Sequence, residues 1–336
     1  MAGGAYGGAE TFFEDLAAAF ARAGVRQRAV IRPAPAREAK LTAAGIAVDT
    51  LPFGGPLDLY TPWRLRRIAA AERPDVVLGW MNRACRVLPR GPFARIGRLG
   101  GYYDLKYYRR CDALICNTRD IRDYVIRAGW PAARAHYIPN FCPALPEPAL
   151  PRASFGTPAA ARILLILARL EETKGIDIAI AALRRIPDAV LWIAGEGGLR
   201  DALQRQTVDD GVAARVRFLG WRADRGALLK AADAVLVPSR HEPFGNVIVN
   251  AWVHDVPVVA AASEGPRALI EHGSDGLLVP VGDAAALADA VSALLARPDA
   301  RERLIAGGRA KAAAEYSETA VVRGYLEVFR ALADRR

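Results

Sequence analysis

Pro238-Ser-Arg-His-Glu-Pro-Phe-Gly-Asn-Val-Ile-Val-Asn250 follows directly on the apolar run Ala234–Val237. A short β-branched run that feeds a loop and then a helix opening near Asn246 is one βα unit. Pro243 and Gly245 punctuate the loop. Glu242 stands just before the helix start, where the amides of Gly245 to Val247 have no helical acceptor. One carboxylate suited to hydroxyls therefore lies beside the positive end of a helix suited to an anion. The plainer reading of Glu242 is a helix cap.

Outward from this stretch the same unit repeats. Strands are predicted at Ile163–Ala168, Val190–Ala194, Val216–Leu219, Ala234–Val237, Pro257–Ala260 and Gly276–Val279. Between them helices are predicted near Gly175–Arg185, Leu199–Asp210, Asp224–Ala231, Val247–His254 and Pro266–Glu271. Strict βα alternation with short β-branched or Leu-rich strands predicts a parallel sheet covered on both faces. Residues 283–296, 299–314 and 317–333 have the 3.6-residue periodicity of packed helices.

The amino-terminal half alternates likewise, with strands expected near Val25–Ile31, Ile46–Leu51, Val76–Trp80, Ala113–Asn117 and Ala135–Ile138. Between the halves runs Phe141-Cys-Pro-Ala-Leu-Pro-Glu-Pro-Ala-Leu-Pro151, whose prolines favour an extended, stiff connection. The expected division is an α/β domain over 1–140, a linker over 141–152, a second α/β domain over 153–315 and a terminal helix over 316–336. Two such domains are expected to hold a ligand in the cleft between them, beyond the carboxyl ends of their strands. The first domain opens unusually, because Gly3-Gly4-Ala5-Tyr6-Gly7-Gly8 lies where a strand should already have ended. Its first strand is expected to be missing or a stub.

The bulk properties narrow the function. The chain has 336 residues, 52% of them apolar, yet no apolar run approaches the roughly 18 residues of a spanning helix. The start lacks the pattern of a secretory signal, so a cytoplasmic place is expected. Cys85, Cys111, Cys116 and Cys142 include no C-x-x-C pair and read as reduced thiols, not a metal knuckle. The net charge of +10 sits in the first half, where residues 1–150 hold 22 Lys/Arg against 13 Asp/Glu. Such a bias suits an acidic substrate or an anionic membrane surface. Nucleic acid fits less well, since the cations are nearly all Arg in an Ala-rich chain.

Three more loops fall on the edge that carries Glu242. Arg169 and Lys174 flank the loop after the first strand of the second domain, a spacing at which two cations can close on one diphosphate. Gly195-Glu196-Gly197-Gly198 follows the next strand, where small residues let a ligand approach the backbone. Gly220-Trp221-Arg222 follows the third. In the first domain, Gly7 and Gly8 open a helix and offer amides to a phosphate or sugar hydroxyl; a tight turn packed on the sheet reads equally well. The cluster does not match G-x-G-x-x-G, which argues against a nicotinamide enzyme. Residues 95–110 mix four arginines, one lysine and four tyrosines about Gly100-Gly101. Arg98, Tyr102, Tyr103 and Lys106 there are candidate acceptor contacts, by stacking on sugar rings and by charge toward phosphate or lipid headgroups. The other reading is an irregular loop with packed aromatics.

Pro238 to Val247 together with Val256-Pro-Val-Val-Ala260, Arg169-Leu170, Lys174-Gly175 and Gly7-Gly8-Ala9-Glu10 resembles the retaining glycosyltransferases of family 4. That resemblance spans essentially the whole chain and is strongest over 162–282. It implies an α/β protein of the GT-B fold, with two facing Rossmann-like doubly wound domains and an interdomain cleft. It also implies a nucleotide-diphospho-sugar held by the second domain, a saccharide or lipid-linked acceptor held by the first, and no cofactor or metal. Carried over by position, Arg169 and Lys174 match the pair that neutralises the diphosphate, and Glu242 matches the first glutamate of the family's E-x7-E motif. Phe244, Gly245, Asn246 and Val247 lie within that motif. The implied setting is envelope polysaccharide, lipopolysaccharide or glycolipid assembly, with possible peripheral contact of the basic first domain with the inner membrane.

The second glutamate of the motif falls on Asn250. By resemblance that position binds the donor ribose, and Asn keeps one acceptor oxygen while losing the charge. A weaker donor complex, by about 1.5–3 kcal/mol, is expected. Two alternatives stay open at this level: a sugar-nucleotide-binding protein with little or no activity, and a nucleotide-sugar epimerase of the same architecture.

Overall fold

The computed structural model describes every residue except 5, 6, 56, 335 and 336. The chain forms two compact units, one comprising Met1–Cys142 and the chain from Glu315 on, the other Pro143–Ala314. The sequence placed the helix after 316 as a separate tail. In the structure Val321, Val322 and Tyr325 of helix Glu318–Ala333 are buried in the core of the first unit. Ser317 caps that helix through the Ala320 amide.

In chain order the strands are β1 Arg28–Ile31, β2 Ala47–Thr50, β3 Val76–Trp80, β4 Ala94–Leu99, β5 Ala113–Cys116 and β6 Ala135–Tyr137. The second unit adds β7 Arg162–Leu167, β8 Ala189–Ala194, β9 Val216–Gly220, β10 Ala234–Val237, β11 Val258–Ala261 and β12 Leu277–Val279. The sheet of the second unit has the order β12-β11-β10-β7-β8-β9, with every pairing parallel. This is the doubly wound order, whose direction reverses between β7 and β10. Ile163 to Ile166 and all six residues of β8 are buried, as strands covered on both faces must be.

In the first unit the strands fall into two parallel sheets, β1-β2 and β3-β4-β5-β6. β4 corrects the expectation of an irregular loop from residue 95. Its pattern Ala-Arg-Ile-Gly-Arg-Leu hides a strand behind two arginines and a glycine. Arg95 is neutralised by a bidentate pair with Asp112 at 2.7 and 3.1 Å. A Cβ at Gly97 would lie 2.7 Å from the Tyr108 ring, so only glycine fits the strand there. Beside β1, Met1 makes two backbone hydrogen bonds, donating to the Val30 carbonyl and accepting from the Arg32 amide.

The proline-rich linker is extended but not free. Lys230 Nζ donates to the carbonyls of Leu145 and Glu147 at 2.8 and 2.7 Å, and the Leu145 amide donates to His254 Nε2. From Pro143 on it belongs to the second unit. No helix among the described residues is long and apolar enough to cross a membrane.

Candidate functional site

Reversal of strand order between β7 and β10 splays the loops that follow them, which makes this edge the place where a doubly wound sheet binds ligands. Both loops carry residues singled out above. After β7 the chain passes through Arg169 into a short 3-10 turn, Glu172–Lys174, before helix Ile176–Leu183. After β10 it passes through Glu242 into helix Asn246–Val253.

Lys174 and Glu242, 68 residues apart, meet at 2.6 Å with side chains only 16% and 17% exposed. Their loops are fitted backbone to backbone. The His241 amide donates to the Thr173 carbonyl at 3.2 Å. A Cβ at Gly175, whose φ is +60°, would come within 2.1 Å of the Pro238 carbonyl oxygen. Arg240 adds a clamp, donating to both carboxylate oxygens of Asp177 at 2.7 and 2.5 Å and to the Glu172 carbonyl at 3.0 Å. That guanidinium holds the Asp177 carboxyl below its usual range.

The third wall is the start of helix Glu264–Leu269, which begins two residues before the predicted Pro266. Glu264 Oε1 lies 2.9 Å from His241 Nδ1, and the Gly265 amide donates to the Glu242 carbonyl at 2.7 Å. Burial pushes the Glu264 carboxyl up, but hydrogen bonds from its own amide, His241 and the Glu242 amide outweigh it and hold the group low. A Cβ at Gly265 would lie 2.2 Å from the Phe244 carbonyl oxygen, so glycine is required for this approach. Arg240, Glu264 and Gly265 were missed in the sequence. Arg240 lies inside the decisive stretch, two residues before Glu242; the other two have no signal short of the fold.

Around this centre the expected residues separate. Asn250 is 6% exposed and its side-chain oxygen has no hydrogen-bond partner, while its carbonyl accepts from His254 Nδ1 at 2.8 Å. Gly245, in the left-handed region at φ +102°, opens the helix, and Asn246 and Val247 are half-buried in its first turn. The Phe244 side chain is buried core, which removes it from the candidate ligand contacts. Arg169 is not drawn to Lys174: it stands 63% exposed at the rim, paired with Glu171 at 2.5 Å. Trp221 is exposed at 58%, and Arg222 forks onto Asp224 at 2.9 and 2.6 Å. Gly195 and Gly197 serve the backbone, since a Cβ at either would strike the carbonyl oxygen of Ala168 or Leu170, at 1.8 and 2.4 Å.

In the first unit, Gly7 and Gly8 do open helix Gly8–Arg22. The carboxylate of Glu10 folds back onto their loop and takes the Gly4 amide at 2.9 Å, so the chain's own anion sits in the turn. Arg98 corrects the acceptor reading. It is 3% exposed, bonded to Asn140, the Leu99 carbonyl and Tyr325 Oη, and lies over the rings of Phe12 and Trp80. An arginine so committed is a core polar anchor. Tyr102 donates to Asp120 and packs edge-on to Tyr124, and Tyr103 stacks on Tyr108. Lys106 is exposed beside Asp104.

Residues 6–144 match the model of the family described as Glycosyltransferase Family 4, and residues 151–311 that described as Glycosyl transferases group 1. The chain is 36% identical over 326 residues to the lipopolysaccharide core biosynthesis glycosyltransferase LpsE of Rhizobium meliloti (strain 1021), covering 96% of this chain and 95% of that one. It is 37% identical over 329 residues to LpsD of the same strain, covering 97% and 96%. Among solved structures, Anabaena Alr3699/HepE in complex with UDP and glucose superposes with a TM-score of 0.82 at 25% identity, covering 97% of this chain and 96% of that one. With its two Rossmann-like units of the GT-B type, the chain belongs to the group 1, family 4 glycosyltransferases.

Proposed function

We propose that the chain transfers a sugar from a nucleotide-diphospho-sugar to a saccharide or lipid-linked acceptor of lipopolysaccharide core or a related envelope glycolipid, with retention at the anomeric carbon. The observation that carries this is the Lys174–Glu242 pair at the reversal point of the six-stranded sheet. The lipopolysaccharide core biosynthesis role of LpsE and LpsD supports the acceptor class, and the UDP and glucose bound to HepE support the donor class.

In this reading Lys174 neutralises the departing diphosphate, and Arg169 swings from Glu171 to join it. Glu242 accepts hydrogen bonds from sugar hydroxyls, and the unpartnered oxygen of Asn250 accepts one from the ribose. The anomeric C–O bond breaks toward the diphosphate, and the acceptor oxygen bonds on the same face while its proton passes to the leaving phosphate. Fixed cations do the electrostatic work without a metal or a bound cofactor, so activity is expected to survive a chelator. A thermal-shift and calorimetric screen of uridine, guanosine and adenosine diphospho-sugars, followed by transfer from a labelled donor, tests the proposal; no donor binding at all would sink it. The buried Asn250 also favours a second reading, a donor-binding protein of low activity, which donor binding without transfer or hydrolysis would establish.

Asn250→Glu is expected to tighten donor binding about tenfold, by restoring a charge-assisted hydrogen bond. Calorimetry on the variant checks this, and unchanged affinity removes position 250 from the ribose contact. The positive excess of residues 1–150 supports peripheral contact with anionic lipid on the cytoplasmic face. Flotation with anionic vesicles is expected to show salt-sensitive binding, and no binding at low ionic strength excludes the contact.

A further inference from the structure

Leu57-Asp-Leu-Tyr-Thr-Pro-Trp-Arg-Leu-Arg-Arg67 runs from the loop after β2 into helix Tyr60–Glu72. Seven large apolar side chains stand exposed among the described residues, and four of them, Leu57, Leu59, Tyr60 and Trp63, fall in this one stretch, so they form a patch and not the usual scatter. The turn that presents them is firmly tied. Asp58 accepts from the Gly54 and Thr61 amides at 2.7 and 2.9 Å, and the buried Thr61 Oγ1 accepts from the Phe53 amide at 3.1 Å. With Asp58 and Thr61 spent on the turn, Leu57 and Leu59 on either side of Asp58 are left 95% and 81% exposed.

The helix continues the patch with aromatic rings and charge. Tyr60, Trp63 and Arg67 follow one another at spacings of three and four residues, which places them on one face. Their contacts agree: the ring centroids of Tyr60 and Trp63 are 5.8 Å apart, and the Arg67 guanidinium lies 5.1 Å from the Trp63 ring. The helix has one acid, Glu72, and Arg28 takes it at 2.9 Å. Arg64 is turned to Asp49 at 3.6 Å. Arg66 and Arg67, both exposed, form no ion pair among the described residues, so this face carries positive charge that no carboxylate pairs with.

Leucines at a turn tip, followed along the chain by a tyrosine, a tryptophan and unpaired arginines, match the layers of an anionic bilayer interface: acyl chain, headgroup level and phosphate. A second copy of the chain is a poor occupant. A two-fold contact would set the patch against itself, and Arg66 and Arg67 would meet arginines. Leu51 and Phe53 of the same loop pack in one cluster with Ala84 of helix Met81–Arg86, which follows β3. The patch therefore stands beside the carboxyl end of β3, the edge at which an open parallel sheet takes its ligands.

We infer that Leu57, Leu59, Tyr60 and Trp63, with Arg66 and Arg67, are the surface by which the first unit enters an anionic bilayer, the two leucines among the acyl chains and the two arginines against lipid phosphates. The inference rests on the lipid contact proposed above and gives it a place and a second force. The positive excess of residues 1–150 brings the chain to the surface, and the apolar patch holds and orients it there. Oriented so, the carboxyl edge of the four-stranded sheet meets the headgroups, where a lipid-linked acceptor presents its sugar.

Flotation with vesicles of phosphatidylglycerol and phosphatidylethanolamine compares the parent with Leu57→Ser/Leu59→Ser, which keeps the charge, and with Arg66→Gln/Arg67→Gln, which keeps the apolar side chains. The serine pair is expected to lower the partition coefficient at least about tenfold at low ionic strength. The glutamine pair is expected to lower it about tenfold there and much less at high salt. Side chains this exposed leave the fold alone, so Tm is expected to stay within about 2 °C of the parent in both. Brominated lipid is expected to quench Trp63: the quenching is lost in Trp63→Phe and kept in Trp221→Phe. A serine pair that partitions like the parent overturns the inference, since charge alone then makes the contact. So does quenching that persists in Trp63→Phe, or a parental dimer in native mass spectrometry that the serine pair dissociates. No flotation of the parent at low ionic strength overturns both the inference and the lipid contact. Donor affinity by calorimetry is expected to be equal in the parent and the two double variants, and its absence from all three would strike the transfer reading alone.

Discussion

Lys174→Ala is expected to lower kcat/KM by about two to three orders of magnitude, the range seen when one preorganised group is withdrawn from developing charge. Two effects add. The leaving diphosphate loses a cation of the loop after β7, and Glu242 keeps a carboxylate, only 17% exposed, whose partner at 2.6 Å is gone. An unpaired carboxylate at that place repels the donor as well as failing to orient it. Lys174→Arg is expected to recover part of the loss, because the charge remains while the compact ammonium is replaced by a planar fork. Glu242→Gln separates the two effects, since it removes the repulsion and keeps the side-chain shape. If Lys174 and Glu242 act as a unit, Lys174→Ala in the Glu242→Gln background costs much less than in the parent, a non-additivity expected of contacting residues. Steady-state kinetics on the four proteins checks this, with thermal melts to confirm that each folds. Additive losses would mean that the ion pair is structural and that the two side chains serve the reaction separately.

Much of the second unit was legible because most of its strands are uninterrupted apolar runs. Ile163 to Ile166 can only be a buried strand, and the helix at Asn246 was placed to within a residue. β4 was not legible, because Arg95 and Arg98 break the apolar run and their hydrogen-bonding partners, Asp112 for the first and Asn140 and Tyr325 for the second, are distant in sequence. The same cause turned Arg98 from a candidate acceptor contact into a core residue. For the site, the residue types were readable and their grouping was not. Strand order decides that β7 and β10 are neighbours, and nothing local to either loop states it. Lys174 could therefore be named as a phosphate cation but not as the partner of Glu242. Glu264 enters only because β11 is the strand beyond β10.

Gly195→Ala is expected to destabilise the second unit by about 4 kcal/mol, because overpacking and backbone strain act together. The added methyl would lie 1.8 Å from the Ala168 carbonyl oxygen and 2.8 Å from its carbon, on a backbone held at φ +155°. Neither strand can yield easily. The Ala168 amide is tied to Ala194 at 3.1 Å, the Gly195 amide to Gly220 at 2.8 Å and the Leu170 amide to Glu196 at 2.9 Å. Relief has to come from displacing residues 168–170, which carries Arg169 with it, so donor affinity should fall along with Tm. At about 2–4 °C per kcal/mol the melting shift is on the order of 8–16 °C. Gly198 supplies the control. Nothing lies within 4 Å of a Cβ built there, so Gly198→Ala is expected to stay within about 0.5 kcal/mol of the parent. The pair also decides between two reasons for glycine in this loop. If Gly195→Ala keeps the parental Tm and loses only donor binding, the glycine is there to admit the ligand. If both fall together while Gly198→Ala changes neither, it is there so that the loops after β7 and β8 can touch, and the donor site inherits its shape from that contact.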